Sequence, residues 1–234
     1  MTAVSFTEES FSALKDEIDD WVRGPGEEYA NTIEKTGSVP ASLFGDLKSR
    51  GYFSLAAPEY LGGQGIPFDR YLELMEIFSR SHGSVRMLVH VINGTWRAME
   101  PFATDEQREN IIKPSVAGDV LVAFTLTEAT AGSGADIRST VRREGDSYVL
   151  NGEKHLITFG VKCDYWLMAA RIEGRRAKTV SWRCCCRTRG WRASRSSTIQ
   201  RPWAFEAPIT PFCGSRMFGC RHRHGLATRA TGSP

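Results

Sequence analysis

Two kinds of side chain are scarce in this sequence, each in a different part. Cysteine is nearly absent from residues 1–170, where only Cys163 occurs, which excludes a disulfide framework and favours a reducing, cytoplasmic setting. No run of 18 apolar residues occurs, so we expect no transmembrane helix. The first residues have neither a basic nor an apolar stretch, so we expect no signal peptide.

Acidic residues are the second scarcity, and they mark a change in composition near Arg171. Residues 1–170 contain 16 Lys and Arg against 25 Asp and Glu, as in an ordinary soluble protein, whereas residues 171–234 contain 14 against 2. The other five cysteines lie in this second part, three of them consecutive at 184–186. The two parts therefore need separate interpretations.

Hydrophobic spacing predicts helices over the first 117 residues. Phe11, Leu14, Ile18 and Trp21 recur at helical spacing behind Ser5 or Thr7 as a cap. Similar spacing predicts helices after Pro40, around 71–78 and 85–99, and a short one at 105–113, with a glycine-rich loop at 58–67.

Strands are predicted from Gly118 onward. They are 120–127, a hairpin at 148–158 with its turn at Asn151-Gly152, and 165–170. The predicted fold class is α+β, with an all-helical domain at 1–117, a partial antiparallel β-barrel at 118–172 and a tail, expected to be disordered, at 173–234.

Two segments, in each of which a predicted strand ends in a threonine, carry the candidate chemistry. They are 123–133, with a glycine-rich turn after Thr127, and 151–158, which ends at Thr158. Hydroxyls and free backbone N–H groups at strand ends suit a planar polar heterocycle whose face is covered by apolar residues. The alternative is that both threonines are ordinary strand-end residues and that Gly132-Ser133 is only a turn.

The sequence of these segments resembles the acyl-CoA dehydrogenase family of flavoproteins. The resemblance lies in Phe124-Thr-Leu-Thr-Glu-Ala-Thr-Ala-Gly-Ser133, Gly145-Asp-Ser-Tyr-Val-Leu-Asn-Gly-Glu-Lys154, Leu156-Ile-Thr158 and the loop at 58–65, and it covers residues 1 to about 172. It implies a helical domain, a middle β-barrel and a C-terminal four-helix bundle that this chain lacks.

The resemblance implies FAD as cofactor and no metal. The implied cofactor-binding residues lie along the flavin edge and over its ring: Phe124, Leu126, Thr127, Gly132, Ser133, Leu156, Ile157 and Thr158. Ser133 would also lie near the thioester. The implied reaction is α-proton abstraction by a carboxylate coupled to β-hydride transfer to flavin N5.

No catalytic residue is assigned, because the family's glutamate base belongs to the C-terminal bundle, and Glu128 is not promoted to that role. The implied partners are an acyl-CoA or acyl-carrier-protein thioester and an electron acceptor, either a flavoprotein or oxygen. Relatives are homo-oligomers. The sequence departs from the usual motif at Ala129, Gly134 and Leu156, where proline, aspartate and tryptophan are common.

The basic tail has three interpretations. Its 13 arginines and three tryptophans suit a nucleic-acid-binding tail, and Cys213, Cys220, His222 and His224 could in principle bind zinc. The favoured interpretation is a shifted reading frame that begins near 172–180. Codons allowed for Trp182–Arg187, read from the third base, give Ala-Leu-Leu-Leu-Pro, a buried strand and a turn.

The sequence therefore predicts a truncated FAD-dependent acyl-CoA dehydrogenase with weak or no FAD binding and no turnover. Two alternatives stay open. One is a non-catalytic scaffold with a basic, nucleic-acid-binding tail, and the other is an acyl-CoA oxidase, which differs in the reactivity of its reduced flavin with oxygen.

Overall fold

Helices fill the first part of the chain and strands the second. The structure, a computed structural model, describes residues 7–129, 136–144, 147–160, 162–172, 182–187 and 207–209. The chain divides between Leu121 and Val122 into two compact units. In the described part of the first unit the helices are α1 (Glu8–Arg23), α2 (Pro25–Thr36), α3 (Ala41–Ser49), α4 (Phe68–Phe78), α5 (Gly83–Met99), α6 (Asp105–Gln107) and α7 (Lys113–Val116), with a π-helical turn (Arg108–Ile112) between the last two.

Helix α1 begins as its sequence predicts. The Thr7 hydroxyl accepts a hydrogen bond from the Ser10 N–H, and the Ser10 hydroxyl accepts one from the Thr7 N–H, which satisfies two donors at the helix end. Phe11, Ile18 and Trp21 are buried, so the predicted apolar face is confirmed.

Helix α2 is absent from the sequence-based prediction. Its only buried residues are Gly26 and Ile33, so it has no apolar stripe from which a helical period could be read. It begins with Pro25 in its first turn and ends at Gly37, whose left-handed φ of 63° closes the helix.

The core of the first unit combines aromatic packing with one buried amide. Trp21, Tyr52 and Phe78 meet edge to face, with ring centroids 5.3–6.1 Å apart. Asn93 on α5 accepts from the Ala56 N–H at 2.9 Å and donates to the Tyr52 carbonyl at 2.8 Å. The amide therefore fastens the segment that follows α3 to α5.

The second unit is a six-stranded sheet. Its strands are β1 (Val122–Thr125), β2 (Thr140–Glu144), β3 (Ser147–Lys154), β4 (Tyr165–Ile172), β5 (Trp182–Arg187) and β6 (Ala207–Ile209). The order is β1-β4-β2-β3-β6, and β5 pairs with β4. The predicted class, a helical domain followed by a partial barrel, is confirmed, although β4 runs parallel to β1 and β2, so the sheet is mixed rather than purely antiparallel.

The predicted hairpin turn at Asn151-Gly152 is wrong. Strand β3 runs straight through both residues, and its hairpin partner is β2, with Glu144 opposite Ser147. Gly152 is needed for a tertiary reason: a Cβ there would lie 2.6 Å from the Cβ of Ser139, and its φ is 148°.

Two segments of the tail are strands rather than disordered chain. Strand β5 pairs antiparallel with β4, which places Cys185 opposite Leu167, and β6 pairs with the end of β3. Outside these two segments, residues 173–234 lie beyond the part of the chain that the structure describes.

Candidate functional site

The chain after β1, which carries Thr127, and the chain after β3, which carries Thr158, lie side by side in the second unit. The His155 N–H donates to the Thr127 carbonyl at 2.9 Å, and Lys154 Nζ donates to the Leu126 carbonyl at 3.0 Å. The chain after β1 and the chain after β3 are therefore joined at their ends, as expected if both contribute to one site.

A buried ion pair reinforces this junction. Lys154 Nζ lies 2.9 Å from Glu128 Oε1, and the two side chains are only 2% and 5% exposed. Because each charge compensates the other away from water, removal of one partner alone is expected to cost about 3–5 kcal/mol. Lys154 belongs to one of the family motifs, but the sequence by itself predicts no role for it.

The Glu128 carboxylate is fully used by protein donors. It accepts from the Arg138 N–H at 2.6 Å, the Ser139 N–H at 2.9 Å and the Ser139 hydroxyl at 2.5 Å, in addition to Lys154. Burial by itself would raise the pKa of Glu128, but these hydrogen bonds outweigh it and hold the pKa below its ordinary value. A buried, four-fold hydrogen-bonded carboxylate is a poor proton acceptor, which agrees with leaving Glu128 out of the catalytic role.

The ammonium of Lys154 has a different balance. Burial lowers its pKa, and the hydrogen bond and charge of Glu128 oppose that change. The pair is therefore a structural feature that depends on both partners.

The hydroxyls of Thr127 and Thr158 are available to a ligand. Both residues are half-buried, and neither hydroxyl is hydrogen-bonded to another described residue. By contrast, the buried hydroxyl of Thr125 donates to the Leu167 carbonyl at 3.0 Å within the sheet. Thr125 thus belongs to the strand pairing, whereas Thr127 and Thr158 present unused donors and acceptors.

Two apolar side chains in the same two segments are exposed. Phe124 is 39% exposed on β1 and Leu156 is 55% exposed, whereas Ile157 is buried and Leu126 half-buried. Leu156 has a φ of 53°, in the left-handed region that a leucine rarely adopts. Phe159 has a φ of 66°, so the chain at 156–159 carries local backbone strain of the kind that clusters at functional sites.

Gly132 and Ser133 lie outside the described residues, so their proposed roles stay predictions. Among the residues that the structure describes, no group of three or more His, Cys, Asp or Glu side chains is arranged to hold a metal ion. The thiol of Cys163 is buried, and burial raises its pKa to about 11, so it is a packing residue rather than a nucleophile.

Comparison with known families identifies the class to which this fold and site belong. The family model "Acyl-CoA dehydrogenase, N-terminal domain" matches residues 8–119, and "Acyl-CoA dehydrogenase, middle domain" matches residues 123–196. The chain belongs to the acyl-CoA dehydrogenase family, a family of oxidoreductases.

Individual relatives agree with this assignment. A 3-(aryl)acrylate reductase from Clostridium sporogenes is 34% identical over 151 residues, which are 63% of this chain and 40% of the relative. The caffeyl-CoA reductase-Etf complex subunit CarC from Acetobacterium woodii is 33% identical over 150 residues, which are 62% of this chain and 39% of the relative. This chain thus matches about two fifths of the length of each.

A solved structure shares the fold. A glutaryl-CoA dehydrogenase from Mycobacterium smegmatis, in complex with FADH2, has a TM-score of 0.75 and 17% identity, and the match covers 88% of this chain and 54% of that chain. At this identity the similarity establishes the fold alone, and the complex shows that a relative in this family binds the flavin. Within the described residues, no helix is long and apolar enough to cross a membrane.

Proposed function

We propose that this chain carries the flavin-facing part of an FAD-dependent acyl-CoA dehydrogenase. The observation that supports the proposal best is the junction of 124–128 with 154–158, two segments that carry two hydroxyls without a described partner and two exposed apolar side chains. The family membership and the FADH2 complex of a relative support the same cofactor.

The residues fit an isoalloxazine ring. Thr127 and Thr158 supply hydroxyls that can donate to a ring carbonyl or accept from a ring N–H, and Phe124 and Leu156 supply apolar surface to cover the ring. Leu126 and Ile157 complete the proposed apolar wall, and Gly132 and Ser133 are proposed to lie near the flavin and the thioester arm. When bound, FAD supplies the acceptor for a hydride from the Cβ of the acyl group.

The proposed reaction interconverts an acyl thioester and its α,β-unsaturated form. The thioester is carried by CoA or an acyl carrier protein, and electrons pass to an electron-transfer flavoprotein or, in an oxidase, to oxygen. The relative whose name includes an Etf complex supports the first acceptor. That relative and the 3-(aryl)acrylate reductase are named as reductases. Whether the reaction runs as oxidation or as reduction therefore depends on the reduction potential of the saturated and unsaturated substrate pair.

Turnover needs a carboxylate that can take the α-proton, and Glu128 does not qualify. Its oxygens accept four hydrogen bonds and its side chain is 5% exposed. We therefore propose that Glu128 does not serve as the base for dehydrogenase turnover.

The change in composition at Arg171 supports a shifted reading frame as the origin of the basic tail. The middle-domain match to residue 196 and the pairing of β5 with β4 count instead against a shift that begins at 172–180, so the coding DNA must be read from codon 165 to well past codon 196. An inserted or missing base followed by an open frame supports the shift, and a confirmed sequence without one favours a genuine basic tail. Salt-sensitive DNA binding by that tail would then support the scaffold alternative.

The first prediction tests the flavin contact. Thr127→Val and Thr158→Val each remove one hydroxyl at constant shape, so the dissociation constant for FAD is expected to rise about tenfold in each variant. Flavin fluorescence quenching in titrations of the full chain measures it. Thr32→Val, which removes an exposed hydroxyl bonded only to the Glu28 carbonyl on α2, is the matched control. Equal FAD affinity in all four proteins would overturn the proposed site.

A further inference from the structure

Three separated segments of the second unit converge on one buried carboxylate. Glu128 follows β1, Arg138 and Ser139 precede β2, and Lys154 ends β3. Lys154 Nζ also donates to the Leu126 carbonyl, so its ammonium spans the backbone and the side chain of the same segment.

The hydrogen bonds to Glu128 hold together the two ends of the segment 129–137. The amides of Arg138 and Ser139 lie 10 and 11 positions along the chain from the carboxylate that they contact. The Ser139 carbonyl in turn accepts from the Arg171 N–H at 2.8 Å, which fixes this returning end to β4. Both ends of 129–137 are thus anchored to the sheet through one side chain.

Ser139 and Gly152 are in close contact. Ser139 lies directly over Gly152 of β3, where a side chain would leave only 2.6 Å between the two Cβ atoms. This approach brings the Ser139 hydroxyl to Glu128, and Lys154, two residues beyond Gly152 on the same strand, completes the group. The strand, the returning segment and the carboxylate are therefore mutually positioned.

We propose that Glu128 and Lys154 are a positioning pair, which ties Glu128 to the residues before β2 and sets the register of Thr127 against 155–158 without itself touching the flavin. The Thr127 carbonyl accepts from the His155 N–H one position from each partner, so a displacement of either charged side chain is transmitted directly to this junction. The consequence for flavin binding rests on the proposed function, whereas the role of the pair in holding Arg138 and Ser139 against Glu128 does not.

The test is hydrogen exchange of the full chain without flavin, resolved at the amides of Arg138, Ser139 and His155. Glu128→Gln and Lys154→Met are each expected to raise exchange at these amides at least about tenfold and to leave the α1 amides unchanged. In the double variant E128Q/K154M, the increase in exchange rate is expected to be smaller than the product of the two single increases, because no unpaired charge is left. The surface pair Glu109–Lys113 on the first unit, 2.6 Å apart, is the control: its equivalent variants should have small, additive effects.

A merely structural role gives a different result. If the variants raise exchange uniformly across the second unit, or leave the three amides protected, the positioning pair is contradicted. Should Glu128→Gln fail to fold by circular dichroism, Ser139→Ala and Lys154→Arg decide. Ser139→Ala is expected to loosen the three amides selectively, and Lys154→Arg, which keeps the charge, is expected to preserve more of their protection than Lys154→Met.

FAD titration separates this proposal from the proposed function. Weaker FAD binding by both single variants, with protection lost at the three amides, supports both. Local exchange changes in a chain that does not bind FAD support the positioning pair and contradict the flavin site. Unchanged FAD affinity in variants with exposed amides contradicts the claim that the pair sets the flavin-facing register.

Discussion

At the scale of single residues, Glu128 shows how the environment decides what a motif residue can do. A carboxylate beside a proposed flavin site would be an obvious candidate base, yet four donors surround it and lower its pKa. Its partner Lys154 could not be singled out from the sequence, because the two lie 26 positions apart and only the folded sheet brings them together.

The pH dependence of stability is expected to report this carboxylate. The folded pKa of Glu128 lies below its unfolded value of about 4.3, so its contribution is fully present above that pH and is lost as the pH falls through the folded value. Between the two values the free energy of unfolding should fall by about 1.4 kcal/mol per pH unit from this group. Urea unfolding of the wild type and of Glu128→Gln at pH values from about 6 to about 3 measures how the free energy of unfolding of each protein depends on pH.

The groups that face Glu128 determine the expected difference between the two proteins. Lys154, the Ser139 hydroxyl and the Arg138 N–H face the carboxylate, and protonation of Glu128 removes the charge that compensates Lys154, so the wild type should lose stability on acidification more steeply than the variant. Parallel curves for the two proteins would contradict the assignment.

At the scale of elements, local signals predicted what depended on local chemistry. The Thr7 cap and the apolar spacing of α1 agree with the structure, whereas α2 has one buried aliphatic side chain, Ile33, and gives no period. Asn151-Gly152 is a strong turn signal by itself, but Gly152 serves the close approach of Ser139, a contact between distant positions that no local pattern contains. The flavin-facing threonines were placed by motif, and their roles stay predictions.

Helix α5 and the segment before the glycine-rich loop are expected to depend on one amide. Asn93→Ala removes the partners of the Ala56 N–H and the Tyr52 carbonyl, both buried, so the free energy of unfolding should fall by about 2–4 kcal/mol. Chemical denaturation measures the loss. Asn31→Ala, an exposed amide on α2 bonded only to the Glu27 carbonyl, should cost about 0.5 kcal/mol or less. Equal losses of stability in the two variants would contradict a specific stabilisation by the buried hydrogen bonds of Asn93.

At the scale of the whole molecule, each unit matches its own domain of the acyl-CoA dehydrogenase family. The helical part matches the N-terminal domain and the sheet matches the middle domain, while the chain matches about 40% of the curated relatives' length. The flavin-facing residues of the proposal all come from the second unit. The acid–base chemistry of the family reaction needs a carboxylate that the surroundings of Glu128 do not offer.

The most direct test of this account is the absorbance spectrum of the purified 234-residue chain with FAD, recorded without oxygen before and after a short-chain acyl-CoA is added. At protein concentrations above the weak dissociation constant expected for FAD, we expect a spectrum that shows bound, oxidised flavin and does not bleach when the thioester is added. An unchanged spectrum of free FAD would contradict the flavin site, and substrate-dependent bleaching would show that the chain contains a working base and contradict the expected lack of turnover.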